Sequence, residues 1–269
     1  MRGFYLAIFL ALSLSTPATF AAEKTELTWY GHAAFKLKTP NGKILLIDPW
    51  ITNPSNKNGK DDLAKLDKAD LILITHGHAD HVGNSIEIAK RTDARLVSTS
   101  DLGKGLVTYA GFPKEQIGFD TQGNFGGELN LLDNEVKIVF IPAVHSSSVL
   151  SENGKDLHAG GQPGGFLIRI KNGPTIYHTG DTDVFADMAL ISKYHTVDVM
   201  LTCIGGHFTM GPERAAYAVS LVRPSTVIPM HFGTFPVLYG TPEAFGAALR
   251  KQGVRSKLQT LALGQTLKL

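Results

Sequence analysis

An apolar run that ends in a dense group of histidines and one aspartate constrains this chain more than any other feature. Leu71–Ile74 is short enough for a buried strand, and His76, His78, Asp80 and His81 follow within the next seven positions. Imidazole and carboxylate groups are costly in a protein interior unless something binds them, because a desolvated polar group needs a partner. His76 and His78 alternate by two, so an extended backbone can turn both side chains to one side. The segment therefore predicts a metal-binding loop.

Four residues cannot complete two coordination spheres, so a metal site of this kind needs ligands from elsewhere in the chain. Three further candidates each end a strand-like run: His145 after residues 139–142, Asp181 after residues 176–180 and His231 after residues 227–230. Imidazole and carboxylate ligands suit Zn²⁺, and they also suit Mn²⁺ or Fe²⁺, because ligand type alone does not choose among these ions.

The segment His76-x-His78-x-Asp80-His81 resembles the signature of the metallo-β-lactamase superfamily. The resemblance continues in order through most of the chain after the first two dozen residues, with motifs at Tyr30–His32, Ile47–Pro49, Val144–Ser148, Tyr177–Thr182, Gly205–Pro212 and Ile228–Pro236. The last two motifs and the serines after His145 resemble one branch of it, the largely uncharacterised metal-dependent hydrolases related to ascorbate-6-phosphate lactonase.

The resemblance implies an α/β fold, the αβ/βα metallo-β-lactamase sandwich, with a dinuclear metal site at the edge of its two sheets. The implied ligands form two groups joined by a bridge: His76, His78 and His145 for one metal, Asp80, His81 and His231 for the other, and Asp181 between them. Two such ions, zinc by default, can share a water, lower its pKa and direct it at a carbonyl or phosphoryl centre. Asp80 is also expected to be catalytic, by orienting that water.

The hydrophobic pattern by itself predicts only a mixed α/β chain. It places a hairpin turn at Pro40–Gly42, a second hairpin from residues 128–132 and 136–142, and a helix over residues 101–109 that Asp101 caps. Further helices are expected over residues 184–192, 212–222 and 242–252.

Several polar residues near these motifs have two interpretations each. Asp48 either supports a ligand imidazole or initiates a turn, and His32 either faces the site from the first hairpin or packs elsewhere. His178 is either a partner of a ligand or a packed histidine. His207 stands where relatives usually have asparagine, and we count it as a catalytic candidate that contacts substrate, donates a proton or replaces an amide hydrogen bond.

The amino terminus has the pattern of a secretory signal peptide. Arg2 precedes an apolar stretch over residues 4–12, and small residues lead to Ala21 and Ala22. We expect cleavage after one of these alanines and a periplasmic or secreted protein without a stable membrane anchor, an uncleaved anchor being the alternative. Residues 23–269 then form one hydrolase domain.

The composition of the chain limits the kinds of molecule that it is expected to bind. The apolar fraction of 43% and the charged fraction of 19% suit a globular domain with a sizeable core, and the net charge of +2 gives no electrostatic case for nucleic acid. The single cysteine, Cys203, lies in a strand-like run, cannot form an internal disulfide and is not expected to be a catalytic thiol. We expect a small-molecule substrate and leave the oligomeric state open.

Two more segments bear on the chemistry. Ser146, Ser147 and Ser148 could indicate a serine nucleophile, but His145 is already assigned to the metal and no other histidine–acid pair is in place. The glycine-containing segment Ser151–Gly165 is expected to be a mobile loop over the cleft.

Three functions are therefore compatible with the sequence. The first is an exported dinuclear metallohydrolase that acts on a small ester, lactone or phosphoester. The second is an iron-dependent oxidoreductase of the same fold, such as a persulfide dioxygenase, which is disfavoured because Asp80, His81 and His231 are all present. The third is a metal-binding module without catalysis.

Overall fold

The structure is a computed structural model that describes Met1 and residues 23–269. The sequence predicted as a signal peptide, apart from Met1, lies outside the described residues. None of the helices in the described part of the chain is long and apolar enough to cross a membrane.

The described residues form sixteen strands. In chain order these are β1 (Glu26–Gly31), β2 (Ala34–Lys38), β3 (Ile44–Ile47), β4 (Leu71–Leu73), β5 (Arg95–Thr99), β6 (Gln122–Gly123), β7 (Glu128–Leu131), β8 (Val136–Pro142), β9 (Ser148–Leu150), β10 (Leu157–Ala159), β11 (Gly164–Ile170), β12 (Thr175–His178), β13 (Val199–Cys203), β14 (Thr226–Met230), β15 (Lys257–Leu258) and β16 (Thr266–Lys268).

Seven α-helices accompany the strands: α1 (Gly59–Ala64), α2 (Ala79–Val82), α3 (Ser85–Thr92), α4 (Ser100–Tyr109), α5 (Met188–Tyr194), α6 (Pro212–Val222) and α7 (Pro242–Lys251). A short 3₁₀ turn covers Lys114–Gln116. Both α6 and α7 begin with proline, whose fixed φ suits the first helical position and whose missing N–H costs nothing there.

Fourteen of the strands build two mixed seven-stranded sheets. The first has the order β16-β1-β2-β3-β4-β5-β6 and the second the order β15-β14-β13-β12-β11-β8-β7, while β9 and β10 form a separate hairpin. Strands β3 to β6 are parallel, as are β12 to β15, so several strands of each sheet end at a common edge. That edge carries the metal loop and two of the other predicted ligands.

The two sheets pack face to face and helices cover their outer faces. Leu45 and Ile47 of β3 join the inner core with Phe140 of the second sheet, whereas Leu46 points to the outer core with Leu106 of α4. This alternation explains why β3 is apolar at every position, since both of its faces are buried. On the other side, buried residues of α5, α6 and α7 pack on the second sheet. The expected αβ/βα sandwich is confirmed.

Two helix starts differ from the prediction. Helix α4 begins at Ser100, with extended Thr99 as its N-cap, so Asp101 lies inside the first turn and does not cap the helix. Helix α5 begins at Met188 and not near Val184, because the Asp183 amide donates to the Val144 carbonyl and holds that segment outside a helix.

The segment Ser151–Gly165 is not a loop over the metal cleft. It contains β10, which pairs with β9, and it ends inside β11. Ser147 Oγ accepts from the Gly77 amide and donates to the Gly160 carbonyl, which ties the hairpin to the back of the metal loop. These bonds give Ser147 a structural position and leave it without the general base that a serine nucleophile needs.

Candidate metal centre

The start of the metal loop, just after strand β4, is fixed by hydrogen bonds to Asp48. Strand β4 ends at Leu73, and the amide and hydroxyl of Thr75 donate to the two oxygens of Asp48 at 2.8 and 2.7 Å. His78 has extended backbone and is the N-cap of α2, which carries Asp80 and His81. The change from strand to short helix therefore turns four candidate ligands towards one region.

His76, His78 and His145 form the first group of candidate ligands, with nitrogens that all lie within 4.8 Å of one another. His76 Nε2 and His78 Nδ1 are 2.9 Å apart. Burial, followed by the charge of nearby His81, holds the pKa of His76 well below its ordinary value. Burial also lowers the pKa of His78 and of His145. At neutral pH these rings are uncharged and have a lone pair for a cation.

Asp80, His81 and His231 form the second group, and the structure adds His32 to it. Asp80 Oδ2 lies 3.0 Å from His32 Nε2, 3.8 Å from His231 Nε2 and 3.9 Å from His81 Nε2. Burial works against the Asp80 carboxylate, but its contacts with His231 and His32 hold its pKa well below the ordinary value. Asp80 is therefore an anion at neutral pH.

Asp181 lies between the two groups. Its Oδ2 is 3.0 Å from His231 Nε2, 3.3 Å from His81 Nε2 and 3.7 Å from His145 Nε2. His145 belongs to the first group and the other two histidines to the second, so one carboxylate oxygen contacts both. This is the position expected of a bridging ligand.

Unpartnered buried atoms show that this centre fits a metal ion. Among the described residues, His81 Nε2, both ring nitrogens of His231 and Asp181 Oδ1 are buried without a hydrogen-bond partner. The contacts of His81 Nε2 and His231 Nε2 with Asp181 Oδ2, at 3.3 and 3.0 Å, lack the alignment of a hydrogen bond. Native proteins rarely leave so many polar atoms unsatisfied in one place, and a cation among them would satisfy most of these atoms.

The charges of the protein without metal support the same conclusion. Burial disfavours the charged forms of His81 and His231, but Asp181 outweighs it and raises both pKa values, that of His231 to about 9. Burial likewise disfavours the Asp181 carboxylate, and His231 and His81 nevertheless hold its pKa well below the ordinary value. Two imidazolium groups thus neutralise charge at a place where a divalent cation can replace them.

Asp48 orients two of the ligand rings. Its Oδ2 is 2.7 Å from His81 Nδ1, and because a carboxylate only accepts, this nitrogen carries the proton and leaves Nε2 for the metal. The Thr75 hydroxyl donates to Asp48 and lies 3.0 Å from His76 Nδ1, so it accepts from that nitrogen, and His76 Nε2 carries the lone pair. Of the two interpretations of Asp48, the structure favours the one in which it contacts the imidazole of a candidate ligand.

His32 and His178 have different positions. His32 faces the site, with Nε2 near Asp80 and Nδ1 2.9 Å from Thr234 Oγ1. His178 is fully buried, with Nε2 3.1 Å from the Ala33 carbonyl and Nδ1 accepting from the Gly180 amide. It is a packed histidine that fixes the backbone just before Asp181.

A cavity of about 320 Å³ opens over the centre. Its lining comprises five candidate ligands and three other residues: His78, Asp80, His145, Asp181, His231, Ser146, Phe208 and Phe235. His207 is exposed and is not part of this lining, so its catalytic role stays a prediction that no contact supports. Its φ of 57° lies in the left-handed region, which asparagine and histidine adopt more readily than most residues do.

Phe208 and Phe235 lie within the motifs Gly205–Pro212 and Ile228–Pro236, but no local pattern shows that their side chains reach the cavity. Cys203, in contrast, lies where predicted, buried in β13, and burial followed by the nearby Asp181 charge raises its pKa to about 11. It is therefore a neutral thiol at physiological pH and no nucleophile.

Known proteins resemble this chain over most of its length. A family model described as a β-lactamase superfamily domain matches residues 26–231. A UPF0173 metal-dependent hydrolase of Thermodesulfovibrio yellowstonii is 59% identical over 264 residues, which cover 97% of this chain and 98% of the relative. Another, from Anaeromyxobacter sp. (strain K), is 56% identical over 232 residues, covering 86% of this chain and 82% of the relative.

A solved structure is similar as well. Igni18, a metallo hydrolase from the hyperthermophilic archaeon Ignicoccus hospitalis, superposes with a TM-score of 0.78 at 37% identity, covering 91% of this chain and 98% of that one. The descriptions of these proteins name no lactone, so the resemblance to the ascorbate-6-phosphate lactonase branch stays a prediction.

Proposed function

The chain belongs to the metallo-β-lactamase superfamily and is a metal-dependent hydrolase, and from that premise we propose that it uses two divalent ions, zinc by default, to hydrolyse a small ester, lactone or phosphoester. The contact of Asp181 Oδ2 with histidines of both ligand groups is the observation that supports two ions over one. His76, His78 and His145 would hold one ion, and Asp80, His81 and His231 the other.

The protein's own residues divide the work between holding and orienting. When bound, the ions would lower the pKa of a water and polarise the carbonyl or phosphoryl group under attack. Asp80 is 28% exposed on its side chain and lines the cavity, so its carboxylate can accept a hydrogen bond from the attacking water and turn a lone pair towards the substrate. Asp181 is almost fully buried, so in this proposal it acts only as a metal ligand and does not orient the water.

Metal content tests the proposal directly. Purified protein should contain about two equivalents of zinc or manganese per chain, and His81→Ala and Asp181→Ala should reduce this to one or fewer. His158→Ala is the matched control, because His158 lies in the β9–β10 hairpin, stacks on Tyr109 of α4 and belongs to none of the candidate ligand groups. A single equivalent of iron that His81→Ala leaves unchanged would contradict the two-ion hydrolase and favour the iron-dependent oxidoreductase instead.

We further propose that the enzyme acts in the periplasm or outside the cell, on the strength of the signal-peptide pattern in residues 1–22. Expression of the full chain in a bacterium, followed by fractionation and amino-terminal sequencing, tests this. A mature chain that begins at Ala22 or Glu23 in the periplasmic or secreted fraction is the expected result, and an intact amino terminus in the cytoplasm would contradict it.

A further inference from the structure

Apart from the candidate metal ligands, the residues that line the metal cavity include no cationic side chain. Five of the eight lining residues are candidate ligands, and the other three, all within the described part of the chain, are Ser146, Phe208 and Phe235. A substrate whose reacting bond lies at the metal centre therefore has one hydroxyl and two phenyl rings as its remaining side-chain contacts in the lining.

Phe208 is held over the centre by a tight loop. The Gly206 amide donates to the Met210 carbonyl at 2.9 Å, which closes the loop, and the Met210 amide donates to the Thr182 carbonyl at 3.2 Å. Thr182 follows the bridging ligand Asp181 directly. The Phe208 side chain is nevertheless 58% exposed, so it forms a wall without being part of the core.

Phe235 comes from the loop after β14 and is positioned by other aromatic side chains. Its ring stacks on Trp50 with centroids 5.9 Å apart and an interplanar angle of 29°, and it meets the His32 ring edge-on at 5.9 Å. These contacts pre-form the second wall, so the protein does not spend binding free energy on ordering it.

Two exposed apolar side chains adjoin the lining residues, one in the sequence and one in space. Val144, which precedes the ligand His145, is 53% exposed, and Tyr239 is 66% exposed where its ring lies against Gly206 and Gly211 of the Phe208 loop. Any Cβ at Gly206 would be 2.2 Å from the Tyr239 ring, so this packing depends on glycine. Exposed apolar side chains beside a cavity are a feature of ligand sites.

From these walls we infer that the substrate is an uncharged ester or lactone whose aryl or compact alkyl group lies against Phe208 and Phe235. The inference rests on the proposed hydrolytic function and narrows it. An ionised phosphate or carboxylate remote from the reacting bond would lose water in this cavity without a cationic partner, and charged groups bury favourably only when paired. A cavity of about 320 Å³ accommodates a small molecule of this kind.

The reaction itself requires nothing beyond water. Hydrolysis adds the elements of one water across the acyl carbon–oxygen bond, so the acid keeps the new oxygen and the alcohol or phenol leaves with a proton. The aryl or alkyl group takes no part in bond making, and its contacts with the two rings serve to position the acyl carbon.

The affinity for metal-chelating probes tests the contribution of the apolar walls to binding independently of catalysis. The zinc-loaded protein should bind benzohydroxamic acid about tenfold more tightly than acetohydroxamic acid by calorimetry, since an aromatic contact with burial contributes about this factor. Phe208→Ala should abolish most of the difference, whereas Phe119→Ala, at a phenylalanine that is 98% exposed and outside the cavity lining, should preserve it. Equal affinity for the two probes in the parent protein would overturn the inference.

Turnover distinguishes this inference from the proposed function. Phenyl acetate should be hydrolysed with a kcat/KM at least tenfold above that of 4-carboxyphenyl acetate, and Phe208→Lys should reduce or reverse the ratio. Turnover of both esters with a preference for the charged one would overturn the inference and leave the hydrolase intact. No turnover of any ester, together with the expected hydroxamate preference, would refute ester hydrolysis and leave the apolar walls established.

Discussion

His32 Nε2 lies 3.0 Å from Asp80 Oδ2 and joins the first hairpin to the metal loop. Burial, only partly offset by Asp80, lowers the pKa of His32 to about 4, so the ring is neutral at physiological pH. A carboxylate only accepts, hence Nε2 carries the proton and Nδ1 accepts from the Thr234 hydroxyl at 2.9 Å. The Asp80 carboxylate, which we propose to be catalytic, thus has a hydrogen-bond donor with a fixed tautomer on its far side.

Loss of the hydrogen bond between His32 and Asp80 should weaken the binding of the second metal ion. We expect His32→Ala to lower the affinity for the second equivalent of zinc by roughly 10- to 100-fold, the usual effect of removing a partner of a metal ligand. His32→Gln can present an amide N–H to Asp80 and should recover part of the loss. Competition with a chromogenic chelator measures both, and identical effects of the two substitutions would show that the N–H donor is irrelevant.

Asp48 should matter for the metal and for folding. Asp48→Asn places an N–H₂ group against donors, so His81 is expected to move its proton to Nε2, where it blocks the metal lone pair. We expect zinc affinity to fall by roughly 10- to 100-fold and the free energy of unfolding by about 3 kcal/mol. Asp70→Asn is the matched control, because Asp70 accepts the Ile44 amide far from the centre; an equal effect there would refute the explanation.

The grouping of the candidate ligands could be predicted from the sequence because their chemistry is unusual and their order follows the strand ends. Asp181 and His231 each come directly after a strand or within a few residues of its end, and parallel strands bring those ends together. The interpretation of His32 could not be settled, since its left-handed φ of 50° and its contact with Asp80 depend on a tertiary turn.

Other features escaped prediction for physical reasons that differ from place to place. Asp101 is a good capping residue, but Thr99 already has the extended backbone of an N-cap at the end of β5, so the helix starts earlier. Phe208 and Phe235 line the cavity only because hydrogen bonds and aromatic stacking between distant loops place them there. No local pattern encodes that arrangement.

Metal binding should release protons. Asp181 raises the pKa of His81 and of His231 against the opposing effect of burial, to about 9 for His231, so both rings are charged at pH 7 in the protein without metal. Because a metal binds only the neutral ring, about two protons should leave and affinity should rise with pH towards about 9. Calorimetry in buffers of different ionisation enthalpy counts them, and no buffer dependence at pH 7 would contradict the charge assignment.

The charge of His231 also predicts how the stability of the metal-free protein changes at alkaline pH. The folded-state pKa of His231 lies above its ordinary value of 6.5, so its contribution to stability is complete below pH 6.5 and is lost as the pH rises through about 9. Thermal melts in a chelator should therefore show a falling Tm over that window. The zinc-loaded protein should lack this decline, because its His231 is already neutral.

Gly205 is predicted to tolerate no side chain. A Cβ there would lie 2.1 Å from the His231 carbonyl oxygen, so Gly205→Ala must displace the backbone of a ligand. We expect a loss of about 3 kcal/mol in the free energy of unfolding and weaker zinc binding. Gly233→Ala is the control: its φ of 69° adds strain of about 1 kcal/mol but no atom obstructs its Cβ. Unfolding in urea compares the two variants.

Because the candidate ligands are distributed over both sheets, the centre can form only at a late step of synthesis and folding. The first sheet contributes the four residues after β4, and the second contributes His145, Asp181 and His231. A chain emerging from synthesis therefore lacks His231 until β14 has been made, and the four residues of the first sheet meet the other three only when the second sheet has docked. If the centre binds metal as we propose, metal binding would follow the docking of the sheets and would cross-link the two halves of the fold.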